Sequence, residues 1–361
     1  WVWDQARLPE KLRVRPLSVS QAHVAWDRNG KTSFTGDIAA KEGARIFIDM
    51  FYQPEEFTVN RMLIQDAEST ATLALALQKR ELRLDFKGNL EKTTLDRFLV
   101  NNEIFSGSLK GDFRAHVPID QPLRSIAQGK LQAAGLDYPL PLPVPVTLNQ
   151  FSLEAAEKKI VVESASLTWD DSHLALKGDV NFSVEELLLD MEVDADGLKW
   201  EKIEKELKKE DQKKDGQKTE KQTSRKQEID SPKNKNAQLP PVKGKIKVKL
   251  KYFEYGEYTL KPLYADFLLD PDGIKVVVHE ANLCGVAVPG VVKLMLPEIS
   301  VDFRPVSRDE QLKESLECLL RKPVGMTGNF NFQGEIRARA KPEELLQSLQ
   351  DAFLCLNIDG R

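Results

Sequence analysis

Strict alternation of apolar and polar residues, the period of a strand with one buried face, constrains this chain more than any other feature. In Gly244-Lys-Ile-Lys-Val-Lys-Leu-Lys-Tyr252, residues Ile246, Val248, Leu250 and Tyr252 point one way. The four lysines Lys245, Lys247, Lys249 and Lys251 point the other. The same period puts Leu73, Leu75 and Leu77 on one face, and likewise Leu82, Leu84 and Phe86, Leu174 and Leu176, and Phe330 and Phe332. Asn29-Gly30, Lys87-Gly88-Asn89, Lys177-Gly178-Asp179 and Asp272-Gly273 punctuate the runs as turns. This rhythm predicts a mainly β fold: a long curled antiparallel sheet of hairpin repeats, open as a trough or groove, with a few capping helices.

Three helices are predicted. Ser307-Arg-Asp-Glu310 forms a capping-box pattern before a helix over Gln311–Leu320. Pro342 opens another that runs to Phe353, and a shorter one covers Thr94–Val100. Two stretches differ in kind. Tyr138-Pro-Leu-Pro-Leu-Pro-Val-Pro-Val146 cannot be a central strand, because proline has no donor for the ladder. From Glu201 to about residue 240 the chain is so rich in Lys, Glu, Asp and Gln that burial cannot offset the entropy of ordering it. The expected organisation is a β-rich groove segment over 1–200, a charged disordered insertion over 201–240, and a β-rich segment with two helices over 241–361.

Catalytic chemistry finds little footing. The four histidines stand apart, and no GxSxG, HExxH, GxGxxG or phosphate-loop pattern occurs. The expectation is a chain without enzymatic activity, cofactor or metal. A net charge of −4 from 52 basic and 56 acidic residues leaves no concentrated basic surface for nucleic acid. The lysine stripe reads as a solvated face that also discourages edge-to-edge aggregation. Of the three cysteines, Cys284 lies at a predicted strand end and Cys318 on the apolar side of a predicted helix. A bond between these two would pin that helix to the sheet and requires an oxidising compartment. Spacing alone leaves the other pairings, or none, open; Cys355 reads as a buried thiol.

Leu84-Asp-Phe-Lys-Gly-Asn-Leu90, the short helix with Leu95, Phe98 and Leu99, then Gly107-Ser-Leu-Lys-Gly111 and Leu174-Ala-Leu-Lys-Gly-Asp-Val180 together resemble the AsmA-like family. So do Val324-Gly-Met-Thr-Gly-Asn-Phe-Asn-Phe-Gln-Gly334, the helix to Phe353 and the closing Ile358-Asp-Gly-Arg361, although Leu354-Cys355-Leu356 stands where the family usually has a glycine. The resemblance implies a periplasmic body in a Gram-negative bacterium, anchored to the inner membrane by a segment outside this chain. It further implies phospholipid as ligand, the inner and outer membranes or their proteins as partners, and a role in lipid transport and outer-membrane assembly. The alternation would equally serve a structural β-sandwich of the cell envelope with no lipid channel. Deleting Lys208–Ala237 is expected to leave the unfolding midpoint almost unchanged, as measured by thermal denaturation followed by circular dichroism.

Overall fold

The structure is a computed structural model that describes residues 13–28, 30–40, 43–100, 102, 105–136, 138–139, 146–183, 185–202, 205, 241–295, 298–341 and 353–360. The fold is mainly β, and each strand pairing described below is antiparallel. Of the helix predicted from Pro342 to Phe353, residues 342–352 lie outside what is described and Phe353 begins a strand instead; the thiol of Cys355 and the expected disorder of 208–237 also lie outside it.

Backbone contacts divide the chain into two units. The first comprises Trp1–Leu140, Thr147–Leu167 and Lys177–Leu188. It begins with β1 (Arg13–Val14), β2 (Ser18–Trp26), β3 (Thr32–Ala39), β4 (Arg45–Gln53), β5 (Glu56–Gln65), β6 (Thr70–Gln78) and β7 (Glu81–Glu91). Helix α1 (Lys92–Phe98), β8 (Leu99–Val100), β9 (Phe105–Pro118), β10 (Ile126–Leu136), β11 (Tyr138–Pro139) and most of β12 (Val146–Glu157) follow. Nine of these strands form one ladder in the order β2-β3-β4-β5-β6-β7-β9-β10-β12. At about 4.8 Å per strand it is roughly 38 Å wide. The tiny β1–β8 pair stands apart from it, and β11 prolongs the partner edge of β12.

Strands β13 (Lys159–Trp169), β14 (Ser172–Phe182) and β15 (Leu187–Lys199) each contribute residues to both units. The second unit takes in Pro141–Val146, Thr168–Leu176 and Leu189–Arg361. It contains β16 (Val242–Tyr255), β17 (Tyr258–Asp270), β18 (Gly273–Leu283), β19 (Val286–Ala287), β20 (Gly290–Met295), β21 (Glu298–Phe303) and β22 (Val306–Gln311). Helix α2 (Leu312–Leu320), β23 (Asn329–Ala340) and β24 (Phe353–Gly360) complete it. Followed from pair to pair, β18, β20, β21, β23, β22 and β19 trace a ring. The ring encloses nothing, because Pro289 and Pro305 merely interrupt two long strands. Gly290↔Phe303 and Ala287↔Val306 share one register across the interruption, as do Ile299↔Ala340 and Val306↔Gln333. Proline removes a ladder donor, so each strand breaks there and resumes.

Within the second unit Lys249 and Lys251 of β16 form ion pairs of 2.5 Å with Glu192 and Asp196 of β15. Two sequence expectations need correction. Lys87-Gly88-Asn89 and Lys177-Gly178-Asp179 are not turns; both lie inside long strands, β7 and β14. Gly88 and Gly178 have φ of +124° and +139°, conformations side-chain-bearing residues rarely adopt, so they kink strands that continue through them. Nor is Ser307-Arg-Asp-Glu310 a capping box. It belongs to β22, where Ser307 lies opposite Phe332, and the residue before α2, Gln311, makes no side-chain cap.

Cys284 and Cys318 are joined by a disulfide, with Cα atoms 5.5 Å apart, which ties α2 to the end of β18. Closing a loop with a sequence separation of 34 stabilises by about 3–4 kcal/mol in the chain-entropy model. The Cys284→Ala/Cys318→Ala double variant should therefore lose stability of that order in equilibrium urea unfolding. Reducing agent should lower the parent's midpoint to match and leave the variant unmoved.

Candidate functional site

Register turns the alternation of single strands into continuous surfaces. In the first unit Leu73, Leu75 and Leu77 of β6 lie directly opposite Phe86, Leu84 and Leu82 of β7. All six singled-out side chains thus meet on one face. The rows extend through the neighbouring strands. One runs Val24–Phe34–Met50–Val59–Leu75–Leu84–Ala115–Ala127 and ends at Glu157. The next runs Gly36–Ile48–Met62–Leu73–Phe86–Phe113–Gly129–Ala155. A third runs from Val19 and Ile38 through Ile46, Ile64 and Ala71 to Gly88, Gly111, Leu131 and Leu153.

The second unit repeats the device. Ile246–Phe267–Val276–Val292–Val301–Ala338 and Val248–Ala265–Val278–Gly290–Phe303–Ile336 are directly opposed rows across six strands. Leu250 continues the first strand's apolar side opposite Leu263, and Phe330 and Phe332 continue that of β23. Leu174 and Leu176 sit half-buried in β14.

These faces are only partly covered. Phe86 and Leu250 are 4% and 2% exposed, Leu77 is 39% exposed, and the other ten singled-out residues are half-buried. In the first unit the coverage is graded. At one end α1 lays Phe98 against Leu90, Phe86, Ile64 and Ala44, with Leu95 and Leu99 packed around them. A groove of about 790 Å³ also follows the row Val59, Leu75, Leu84, Ala115 and Ala127, but its walls are the neighbouring rows of the reverse face, with Thr58, Arg83 and His116 on one side and Asn60, Asp85, Arg114 and Gln128 on the other, so it opens on that charged face.

The reverse face of the first unit is charged. Lys87, Asp112, Lys130 and Glu154 stand directly opposite one another across four strands, with ion pairs of 2.7 Å (Lys87–Asp112) and 2.9 Å (Lys130–Glu154). Lys87 holds the Asp112 carboxyl below the ordinary range, and Glu154 holds the Lys130 ammonium above it. Such exposed pairs add little stability individually. Their effect is to make only one register comfortable, since a slip of one residue would send every apolar side chain to this face.

A polar network secures α1. The Asp66 carboxylate, 1% exposed, accepts hydrogen bonds from the backbone N–H groups of Glu68 (2.8 Å) and Ser69 (2.7 Å) and pairs with Arg97 of α1. The fully buried Ser69 and Thr94 hydroxyls share a hydrogen bond of 2.5 Å, and Ser69 Oγ accepts from the N–H of Glu91 at 2.9 Å. Burial alone would raise the Asp66 pKa. The Thr94 hydrogen bond, the two backbone donors and the Arg97 charge outweigh it and hold the carboxyl below its ordinary value.

Alternation in single strands missed β9 and β10, which supply Phe113, Ala115 and Ala127 to the apolar face and its buried cluster. The signal was present in Asp112-Phe-Arg-Ala-His-Val117, where apolar and charged residues alternate, but alanine and glycine diluted it. Among the described residues no group of three or more His, Cys, Asp or Glu side chains is placed to hold a metal ion. No described helix is long and apolar enough to cross a membrane. No family model, curated protein or solved structure matches the chain.

Because the folded pKa of Asp66 is depressed, its contribution is fully present above the unfolded value near 3.8 and is lost as pH falls through the folded one. Amide exchange in α1 should accelerate over that acid window before exchange in β6 and β7 does. Asp66→Asn should remove the acid step and cost about 3 kcal/mol, as expected when one partner of a buried ion pair is lost. Parent-like stability of Asp66→Asn at neutral pH would contradict the role given to the network.

Proposed function

We propose that this chain holds lipid: its apolar faces shelter the acyl chains of phospholipid, and it performs no turnover chemistry. The observation that carries the reading is the combination of continuous apolar rows with incomplete cover. In the first unit the rows cross as many as nine strands, yet most of their large side chains remain half-exposed. Each methylene shielded on such a face is worth about 0.8 kcal/mol. An acyl chain lying along the Val59–Leu75–Leu84 row would gain affinity from length alone, without a specific headgroup contact.

The resemblance to the AsmA-like family supports the same reading, and extends it to transport between the inner and outer membranes of a Gram-negative envelope. The disulfide accords with an oxidising compartment such as the periplasm. The rival reading is a structural β-sandwich of the cell envelope, in which these faces would pack against each other and leave no greasy lining wider than a few hundred Å². Incomplete cover of Leu75, Leu77 and Leu84 favours the lipid reading.

Native mass spectrometry of the purified chain should find co-purified phospholipid. Leu84→Asp places a charge in the middle of the apolar face. It should leave a folded protein, by circular dichroism and unfolding midpoint, that retains at least about tenfold less lipid. Unfolding or aggregation of Leu84→Asp would instead indicate a closed core, and undiminished lipid on a folded Leu84→Asp protein would defeat the proposed role of this face altogether.

A further inference from the structure

The charged face of the second unit carries a feature that its fold does not need. Lys275 of β18 and Lys293 of β20 are directly opposite each other, and the row continues through Ser300 of β21 to Arg339 of β23. Like charges facing each other across a pair of strands destabilise the pairing. Elsewhere opposite charges meet: the ladder Lys87–Asp112–Lys130–Glu154 alternates in sign, and Lys245, Lys249 and Lys251 of β16 find Asp266, Glu192 and Asp196. Lys275 and Lys293 have no carboxylate within ion-pair distance among the described residues. Both are exposed.

They line an open groove of about 570 Å³ together with Arg337 and Arg339. Asp302 is the one carboxylate among the described lining residues, and Arg339 is held by Glu298 at 2.5 Å while Arg337 pairs with Glu335 and lies 3.6 Å from Asp302, so the unbalanced positive charge is that of the two lysines. The guanidinium groups are thus positioned by their partners, whereas the two ammonium groups remain uncommitted. Ser300 stands in the row between Lys293 and Arg339, and its hydroxyl can donate to an acceptor.

We propose that Lys275, Lys293, Ser300 and Arg339 form a binding site for a phosphate-bearing anion on the charged face of the second unit. Ammonium groups act as point charges toward phosphate, a hydroxyl adds a directed donor, and a bound dianion converts the lysine–lysine repulsion into attraction. The site lies on the face opposite the apolar rows, so it does not depend on whether those rows hold acyl chains. A free phosphate compound and the headgroup of a phospholipid present the same chemistry to it.

The test uses the full chain and the double variant Lys275→Gln/Lys293→Gln. A second double variant, Lys313→Gln/Lys322→Gln, removes the same charge from exposed positions on and just after α2. The probes are inorganic phosphate against chloride at matched ionic strength, read by thermal midpoint, and phosphatidylglycerol-containing against pure phosphatidylcholine vesicles, read by co-sedimentation. The parent should respond to at least one probe. Lys275→Gln/Lys293→Gln should reduce that response at least about tenfold in apparent affinity, while Lys313→Gln/Lys322→Gln keeps it and Lys275→Arg/Lys293→Arg largely retains it. Protection by inorganic phosphate would identify a site open to free phosphate; a response to vesicles alone would identify the lipid headgroup. Relief of repulsion should leave Lys275→Gln/Lys293→Gln at least as stable as the parent without phosphate. The proposal is overturned if the parent responds to neither probe, if Lys275→Gln/Lys293→Gln binds like the parent, or if the two glutamine double variants lose binding equally.

Discussion

Directly opposed apolar side chains across neighbouring strands are the interaction on which the rest of this structure depends. One such pair contributes only about 0.2–1 kcal/mol beyond alanine, but here the pairs are links in rows that cross as many as nine strands. A strand that slips by one residue against its neighbour moves its whole apolar set to the wrong face. The penalty is therefore collective and large even though each contact is small. The alternating ladder on the other face adds little energy, yet it opposes the same slips. Register is specified twice, once by burial and once by charge.

Gradation of cover follows from what is anchored where. Phe98 of α1 is seated in the apolar cluster because Arg97, its neighbour in sequence, reaches the buried Asp66 carboxylate. In the second unit α2 is tied to the end of β18 by a covalent bond, and Tyr258 donates to the carbonyl of Leu319 at 3.3 Å. Each helix is short, with seven and nine residues, below the length at which an isolated helix persists in water. Neither would hold its place by propensity, and in each unit a polar or covalent tether does what a longer apolar helix face would otherwise do.

The sequence made the faces legible but not their neighbours. Period-two alternation correctly grouped Leu73, Leu75 and Leu77, and likewise Leu82, Leu84 and Phe86, because the side-chain period of a strand is independent of its partner. It could not say that Leu84 faces Ala115 rather than some other residue, since pairing is a property of register between distant segments. Glycine was misleading for a related reason. Lys-Gly-Asn and Lys-Gly-Asp have the composition of turns, but at Gly88 and Gly178 the positive φ serves a kink within a strand that continues. At Ser307 the local capping pattern lost to tertiary pairing, with Phe332 opposite and the hydroxyl buried without a hydrogen-bond partner. The helix over 311–320, by contrast, stands within one residue of its expected limits, because its Leu312, Leu316 and Leu319 spacing is a local signal.

Incomplete burial of the rows is the feature that a purely structural account explains least well. A chain selected only for stability would close such faces, since a large aliphatic side chain gains about 1.5–3 kcal/mol on full burial and half-exposed ones forgo part of that. Here the shortfall is concentrated rather than scattered. Around α1 the rows are sealed, with Ala44, Ala71, Phe86 and Phe98 at 4% exposure or less. Farther along the same strands Leu75 and Leu84 are half-buried and Leu77 is 39% exposed, although Val59 and Ala127 in the same row stand at 5% and 9%. Insufficient apolar sequence would thin the cover everywhere, whereas here it is dense around α1 and thins toward Leu77. That distribution accords with the proposed shelter for acyl chains, because the sealed end holds the strands in register while the thinner end stays accessible.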